Sequence, residues 1–288
     1  MVKKDWSQHL DMLLRFRLIE ILVFWEGRIS STTLVKAFGI GRQQGTKNIH
    51  RYIDEVCDSN LLYDAHIKGY RPTENFQPIL TKGTVDEYLY LLHSCQDLDS
   101  RFSYLDIQKA NTEVIFPLHR KVNAQFIRPI VQAARTQQRI EIDYMSITSG
   151  AIETRVISPH TLVYSGYRWH IRAHCEKHND YRDFVLSRIN DIPVPVTISE
   201  NGMDEDKAWN TQIELIIKPD PRLSPFQKKI IQQEYNMTNG QLNISTRAAL
   251  ANYHLHYLRI SSSNNKEPSP EAQQLVLANH EQIKQWLF

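Results

Sequence analysis

The 288 residues are 41% hydrophobic and 23% charged, with 34 Lys and Arg against 32 Asp and Glu. That is the composition of a soluble globular protein of two or three domains, and a net charge of +2 selects no partner by itself. No run approaches the roughly 18 apolar residues of a membrane span, and MVKKDWSQHLDMLL lacks the apolar core and cleavage site of a secretion signal. Cys57, Cys95 and Cys175 are too few and too far apart for a disulfide framework or a zinc site, which fits a reducing cytoplasm.

Leu10, Leu13, Leu14, Leu18, Ile21, Leu22 and Trp25 recur at spacings of three and four, predicting an amphipathic first helix. Ser30-Ser31-Thr32-Thr33 supplies an N-cap for a short helix to Phe38. After a tight turn at Gly39-Ile40-Gly41, a second helix runs from about Arg42 to Cys57, with Ile49, Ile53 and Val56 on its buried side. Its other side carries Gln44, Lys47, Asn48 and Arg51 at i, i+3, i+4 and i+7, with no acid before Asp54. Leu61-Leu62-Tyr63 and Tyr70-Arg71-Pro72 then flank His66, Lys68 and Gly69 as a small hairpin. Helix, short helix, glycine turn, helix and hairpin are the order of a winged helix-turn-helix.

A lone polar helix face is usually just solvated. Here the glycine turn, the basic hairpin and side chains suited to base edges and phosphates favour DNA reading. The expected helix contacts are Arg42, Gln43, Gln44, Thr46, Lys47, Asn48 and Arg51. His66, Lys68 and Arg71 are the expected wing contacts.

Thr84 to about His93 reads as a helix bridging domains, and Asn111 to Leu118 is an apolar stretch. From Leu118 to Val196 the pattern predicts a helix near Ile127–Thr136. Strands follow around Ile140–Tyr144, Glu153–Ile157, Tyr167–Cys175 and Tyr181–Ile189, which together suggest a small β-barrel. Pro193 and Pro195 are expected to end it, with the acidic stretch Ser199–Asp206 as a linker. The last part reads as a strand (Ile213–Ile217), a helix (Pro225–Tyr235), a strand (Gln241–Ser245), a mixed segment (Ala248–Ile260) and a helix (Glu271–Phe288). That order suits a small α+β sandwich.

The central region is basic: Leu118 to Asn190 holds nine Arg and two Lys against six acids. The preference for Arg matters because a guanidinium fork matches phosphate or carboxylate, whereas Lys is a point charge. In Tyr167–Cys175, Trp169, Ile171, Ala173 and Cys175 alternate with Arg168, His170, Arg172 and His174. An outer face of Arg and His alone suggests a surface shaped for an anion. The plainer reading pairs Arg155, Arg172, Arg182 and Arg188 with acids such as Glu153, Asp183 and Asp191.

Metal binding and catalysis find little support. His170, His174 and His178 are spaced for a helix but fall in a strand pattern, with no acid in a metal-binding signature. No phosphate-binding glycine loop, nucleophile elbow or cluster of metal-holding carboxylates is present in the sequence, so the expectation is a non-enzyme without metal or cofactor.

Ser158-Pro159-His160-Thr161-Leu162, Trp169-His170-Ile171 and Arg182-Asp183-Phe184-Val185-Leu186-Ser187-Arg188-Ile189 resemble the WYL domain of bacterial transcriptional regulators. The Arg-x-Phe-x-Leu-x-Arg-Ile ending matches in full. The Trp-Tyr-Leu triplet departs at its last two letters, so the Tyr hydroxyl is lost at His170. Length and order are most similar to the BrxR or CapW repressors found beside anti-phage systems such as BREX and CBASS.

The resemblance implies an α+β multidomain fold: an N-terminal winged helix-turn-helix (1–80), a helical linker (81–117), a central WYL domain with an Sm-like β-barrel (118–198) and a C-terminal α+β dimerisation extension (207–288). It implies a cytoplasmic, homodimeric repressor on an inverted-repeat operator of a phage-defence operon. Release would come from a nucleotide or nucleic-acid effector at Tyr144, Ser146, Arg155, His160, Arg172, Arg182 and Arg188. An activator with the same modules, or a nucleic-acid-processing enzyme, are the alternatives.

Overall fold

The computed structural model describes residues 10–57, 60–97, 120–261 and 269–287. The chain divides into two compact units, Met1–Phe116 and Pro117–Phe288, and each is described by itself. The apolar stretch Asn111–Leu118 lies outside the described residues.

In the first unit, α1 (Leu10–Glu26), α2 (Ser31–Phe38) and α3 (Arg42–Glu55) precede a hairpin of β1 (Leu61–Asp64) and β2 (Gly69–Pro72), and α4 (Val85–Asp97) follows. Ser30 caps α2 by accepting the Thr33 N–H, and Gly39 ends it at φ 63°, donating its own N–H to Val35. Gly45 on α3 lets α2 approach closely: a Cβ there would lie 2.9 Å from the Ser31 carbonyl oxygen. β1 and β2 pair antiparallel from Leu61–Pro72 to Asp64–Gly69, and Ile29 bridges to Tyr70 as a third short strand. This is the winged helix expected from the sequence order.

The core gathers Phe16, Ile19, Leu22, Leu34, Ile49 and Tyr52. The leucine stripe of α1 is only partly buried. Leu18, Ile21 and Leu22 pack inward, while Leu10 and Leu14 stay exposed, because α3, β2 and α4 cover the helix's second half.

Glu20 is fully buried in this core, and its carboxylate is saturated. It accepts the Tyr52 hydroxyl at 3.0 Å and the backbone N–H groups of Ile79, Leu80 and Thr81 at 2.6, 2.8 and 2.7 Å. One side chain thus ties α1, α3 and the run into α4 together. Glu20→Ala leaves the Tyr52 hydroxyl buried without a partner and takes the acceptor from three part-buried N–H groups, which costs about 3 kcal/mol. A urea melt of the full chain is expected to show an earlier winged-helix transition. An unchanged midpoint would contradict this account.

The second unit opens with α5 (Ala124–Thr136), capped by Asn123. It leads into β3 (Gln138–Ser146), β4 (Ala151–Tyr164), β5 (Trp169–Cys175), β6 (Asp180–Val185) and β7 (Val194–Ile198). They form one antiparallel sheet in the order β6-β5-β4-β3-β7. A bridge between Tyr144 and Ile189, and the Asn190 N–H bonded to the Asp143 carbonyl at 2.9 Å, return the chain beyond β6 to β3. The sheet curls around Ile130, Ile140, Ile142, Ile157, Ile171 and Phe184.

Three expectations need correction here. The fourth predicted strand stops at Val185, and Leu186–Arg188 forms a 3-10 turn. Pro193 and Pro195 do not end the sheet: Val194–Ile198 is its edge strand, where a residue without N–H is tolerated. Residues 199–206 are no free linker either, since Ser199 and Asp206 are buried.

The remainder is a three-stranded sheet, with α6 (Lys207–Asn210) before β8 (Gln212–Pro219), then α7 (Pro225–Glu234), β9 (Leu242–Arg247), α8 (Ala251–Tyr257), α9 (Pro270–Gln273), β10 (Leu275–Leu277) and α10 (His280–Ile283). The order is β10-β8-β9. Leu215, Ile217, Leu223, Ile231, Leu255 and Leu275 fill its core. The predicted helix Glu271–Phe288 is therefore broken. Gln274 sits at φ 55°, and Leu275–Leu277 pairs with β8, because that sheet buries the leucines better than a lone helix would. Among the described residues, no helix is long and apolar enough to cross a membrane.

Candidate nucleic-acid interface and effector site

The α3 helix buries Gly45, Asn48, Ile49 and Tyr52. Arg42, Gln43, Gln44 and Lys47 point to solvent, and Thr46 is half-buried with its hydroxyl donating to the Arg42 carbonyl at 3.2 Å. Arg51 is held by Glu55 at 3.1 Å. Asn48 departs from the predicted stripe: it is fully buried, and its oxygen accepts from Gln44 at 2.8 Å. At 100° per residue it shares the arc of Gly45 and Tyr52 rather than that of Lys47.

On the wing, His66, Lys68 and Arg71 are all exposed. The His66 N–H donates to Asp64 at 2.9 Å, and Arg71 pairs with the same carboxylate at 3.3 Å. Two residues were not anticipated. His50 joins α3 to the wing through the Tyr70 hydroxyl at 2.7 Å, and Arg28 lines a cleft of about 250 Å³ with Ser31, Thr32, Arg42 and Lys68. Among the described residues Arg42, Lys47 and Lys68 have no carboxylate partner. This rim is basic and rich in hydroxyl and N–H donors, the chemistry that holds phosphates.

In the second unit the alternation of β5 is real, but its polar face is not open to water. Ile171, Ala173 and Cys175 face the core, whereas Trp169 is half exposed. His170, Arg172 and His174 are only 1%, 7% and 6% exposed, because α8 and residues 199–209 cover them.

Arg172 is the centre of that covered face. Its guanidinium donates to Asp206 at 2.7 and 3.2 Å and to Asp183 at 3.4 Å. His160 meets Asp206 at 3.3 Å, the Trp209 N–H donates to Asp206 at 3.1 Å, and the Tyr253 hydroxyl donates to Asp183 at 2.7 Å. Burial opposes ionisation of Asp206, but hydrogen bonds from His160 and Arg172 hold its carboxyl well below the usual range. Burial pushes Asp183 the other way despite Arg172.

The seven expected effector residues do not form one pocket. Arg155 is buried on the opposite, core-facing side, donating to Glu153 at 2.7 Å and lying 3.7 Å from the Cys175 sulfur. Alternation along antiparallel strands puts it and Arg172 on different faces. Tyr144 is buried with its hydroxyl accepting the Val185 N–H at 3.1 Å, and the Ser146 hydroxyl accepts the Ser149 N–H at 3.3 Å. Arg182 is exposed on β6 and Arg188 half-buried on the 3-10 turn, neither with a carboxylate partner among the described residues. Two of the suggested acids, Glu153 and Asp183, do pair with Arg155 and Arg172. Asp191 stays exposed, and Asp206 was missed.

His170 stands where the WYL pattern has Tyr, beside the Tyr253 ring at 5.1 Å. Burial, then Arg168, Arg188 and Arg120, push its pKa from 6.5 to about 4. Being lower in the folded chain, this pKa gives stability that is present above pH 6.5 and lost as the pH falls from 6.5 towards 4. The amount is about 3 kcal/mol. His170→Gln is expected to flatten the stability–pH curve in that window. Parallel wild-type and variant curves in urea melts would contradict it.

A winged helix with a free basic rim, a curled five-stranded sheet and an α+β tail define a modular transcriptional regulator. Residues 11–94 match the winged helix-turn-helix domain of the BrxR transcriptional regulator, 125–194 the WYL domain, and 212–283 the C-terminal dimerization domain of BrxR. The chain is 34% identical over 272 residues to the DNA-binding transcriptional repressor CapW of Pseudomonas aeruginosa, covering 94% of this chain and 90% of that protein. It is 31% identical to CapW of Escherichia coli (93% and 89% covered) and 26% identical to CapW of Stenotrophomonas maltophilia (99% and 94%). The chain belongs to the BrxR/CapW family of WYL-domain transcriptional regulators.

Proposed function

We propose that this chain is a cytoplasmic, sequence-specific DNA-binding repressor. It acts as a homodimer on an inverted-repeat operator of a phage-defence operon and has no catalytic role. The observation carrying this reading is the basic rim of the winged helix, where Arg42, Lys47 and Lys68 face solvent without a carboxylate partner among the described residues. The repressor names of the relatives support it, as does the dimerization domain matched at 212–283. Two recognition helices related by a two-fold would enter successive major grooves. Gln43, Gln44 and Lys47 read bases or phosphates, and His66, Lys68 and Arg71 follow the backbone. The working domain boundaries are 1–80, 81–117, 118–198 and 207–288.

The effector is a nucleotide or nucleic acid received by the WYL domain. Of the seven residues, Arg182, Arg188 and Ser146 are the ones neither buried nor held in an internal ion pair. Tyr144, Arg155, His160 and Arg172 hold the frame. Release follows if the effector prefers a conformation whose winged helices no longer match the operator spacing, and only by that difference in affinity.

The test is a gel shift on the DNA just upstream of the chain's own start codon. Lys47→Ala is expected to weaken binding about tenfold or more and to shallow the salt dependence, with the dimer intact by light scattering. Wild-type affinity in that variant would overturn the assignment of α3.

A further inference from the structure

The wing is tied to the rest of the first unit by two routes. At its base the tie is backbone: Ile29 and Tyr70 exchange N–H to carbonyl bonds at 2.9 and 2.8 Å. Gly69 permits that approach, since a Cβ there would lie 2.7 Å from the Ile29 carbonyl oxygen. The second route is a side chain. The Tyr70 hydroxyl meets His50 Nε2 on α3 at 2.7 Å, with the two rings edge to face at 5.9 Å. Tyr63, directly across the hairpin from Tyr70, packs on the same ring at 5.4 Å. His50, Tyr70 and Tyr63 form a chain of rings from α3 across both strands of the wing.

The place of this chain matters more than its strength. His50 is exposed and lies three residues beyond Lys47, about 60° away around the helix. Tyr70 is flanked on the wing by Arg71 and, two residues earlier, by Lys68. The bond therefore stands between the side chains that face the major groove and those that follow the backbone. The other anchors lie elsewhere: Tyr52 and Glu20 hold the core side of α3, and Ile29 holds the base of the hairpin. Only a bond on the outer side resists a swing of the hairpin about that base. Burial and Tyr63 push the Tyr70 pKa above its ordinary value, so the hydroxyl stays protonated at neutral pH. It pairs with His50 Nε2 whether that nitrogen donates or accepts.

We propose that His50 is a positioning residue for DNA binding: through the Tyr70 hydroxyl it locks the wing at a fixed angle to α3. One docking then sets the helix in the major groove and Lys68 and Arg71 on the backbone. This rests on the reading of α3 and the wing as the DNA-contacting elements and adds that they act as one surface. A wing fixed beforehand loses no freedom at the moment of contact, and that saving appears as affinity. His50 itself touches no DNA.

The test is anisotropy of a labelled duplex from just upstream of the chain's own start codon, titrated with the full chain. Tyr70→Phe removes one hydroxyl, keeps the ring and is expected to weaken binding about fivefold. His50→Ala is expected to do the same, and the double variant to bind no more weakly than either alone. His50→Gln, whose amide keeps a partner for the hydroxyl, is expected to recover most of the affinity. A merely structural role would not depend on the wing's own charges. In a Lys68→Ala, Arg71→Ala background Tyr70→Phe is therefore expected to cost nothing, because the wing it positions no longer holds phosphate.

A loss from His50→Ala with none from Tyr70→Phe assigns His50 a direct DNA contact and overturns the lock. A full fivefold loss from Tyr70→Phe in the background without Lys68 and Arg71 overturns it too. If Tyr70→Phe binds as wild type while Lys47→Ala binds weakly, the lock falls and the assignment of α3 stands; if both bind as wild type, both fall. Should Tyr70→Phe unfold the wing in a urea melt, His50→Ala takes its place in the same background, and a loss that persists there overturns the proposal.

Discussion

Taking a carboxylate out of water costs several kcal/mol unless donors replace the hydration it loses, and each unit of the chain is organised around one whose donors are complete. In the first unit Glu20 accepts three backbone N–H groups and the Tyr52 hydroxyl. The donors come from α3 and from residues 79–81, so the carboxylate fixes where α3 sits relative to the segment that enters α4. Burial and Glu20 both drive the Tyr52 pKa up, which keeps that hydroxyl a donor at every physiological pH. In the second unit Asp206 accepts from Arg172, His160 and the Trp209 N–H. It pins residues 199–206 against the sheet and closes the face of β5 that sequence alone would leave in water.

Much of this was legible in the sequence, for a consistent reason. Ser30, Gly39 and the spacing of Ile49 and Ile53 act locally, and local signals survive without knowledge of the fold. The strand pattern of the WYL motif did the same for β4, β5 and β6. Failures came where a distant segment decided the outcome. The Arg/His face of β5 has the same pattern whether water or a buried acid opposes it, and the deciding acid, Asp206, lies 34 residues beyond Arg172. Val194–Ile198 looked like a terminus because of its prolines, yet β3 offered an edge that tolerates them. Leu275–Leu277 has helical neighbours, but pairing with β8 buries Leu275 completely enough to win. Asn48 turned inward because a polar residue on the margin of a helix stripe is assigned by packing, not by periodicity.

The same distinction marks Arg155 and Arg172 as arginines that build the domain. Drawing Arg172 towards an effector would leave Asp183 and Asp206 buried and uncompensated, a cost of about 3–5 kcal/mol. Coupling energies between an effector and a distant site are typically about 1–3 kcal/mol. An effector that had to open the Arg172 network would therefore lose more than it could transmit. Tyr253 packs on His170 and also donates to Asp183, so α8 is bonded to the Arg172 network.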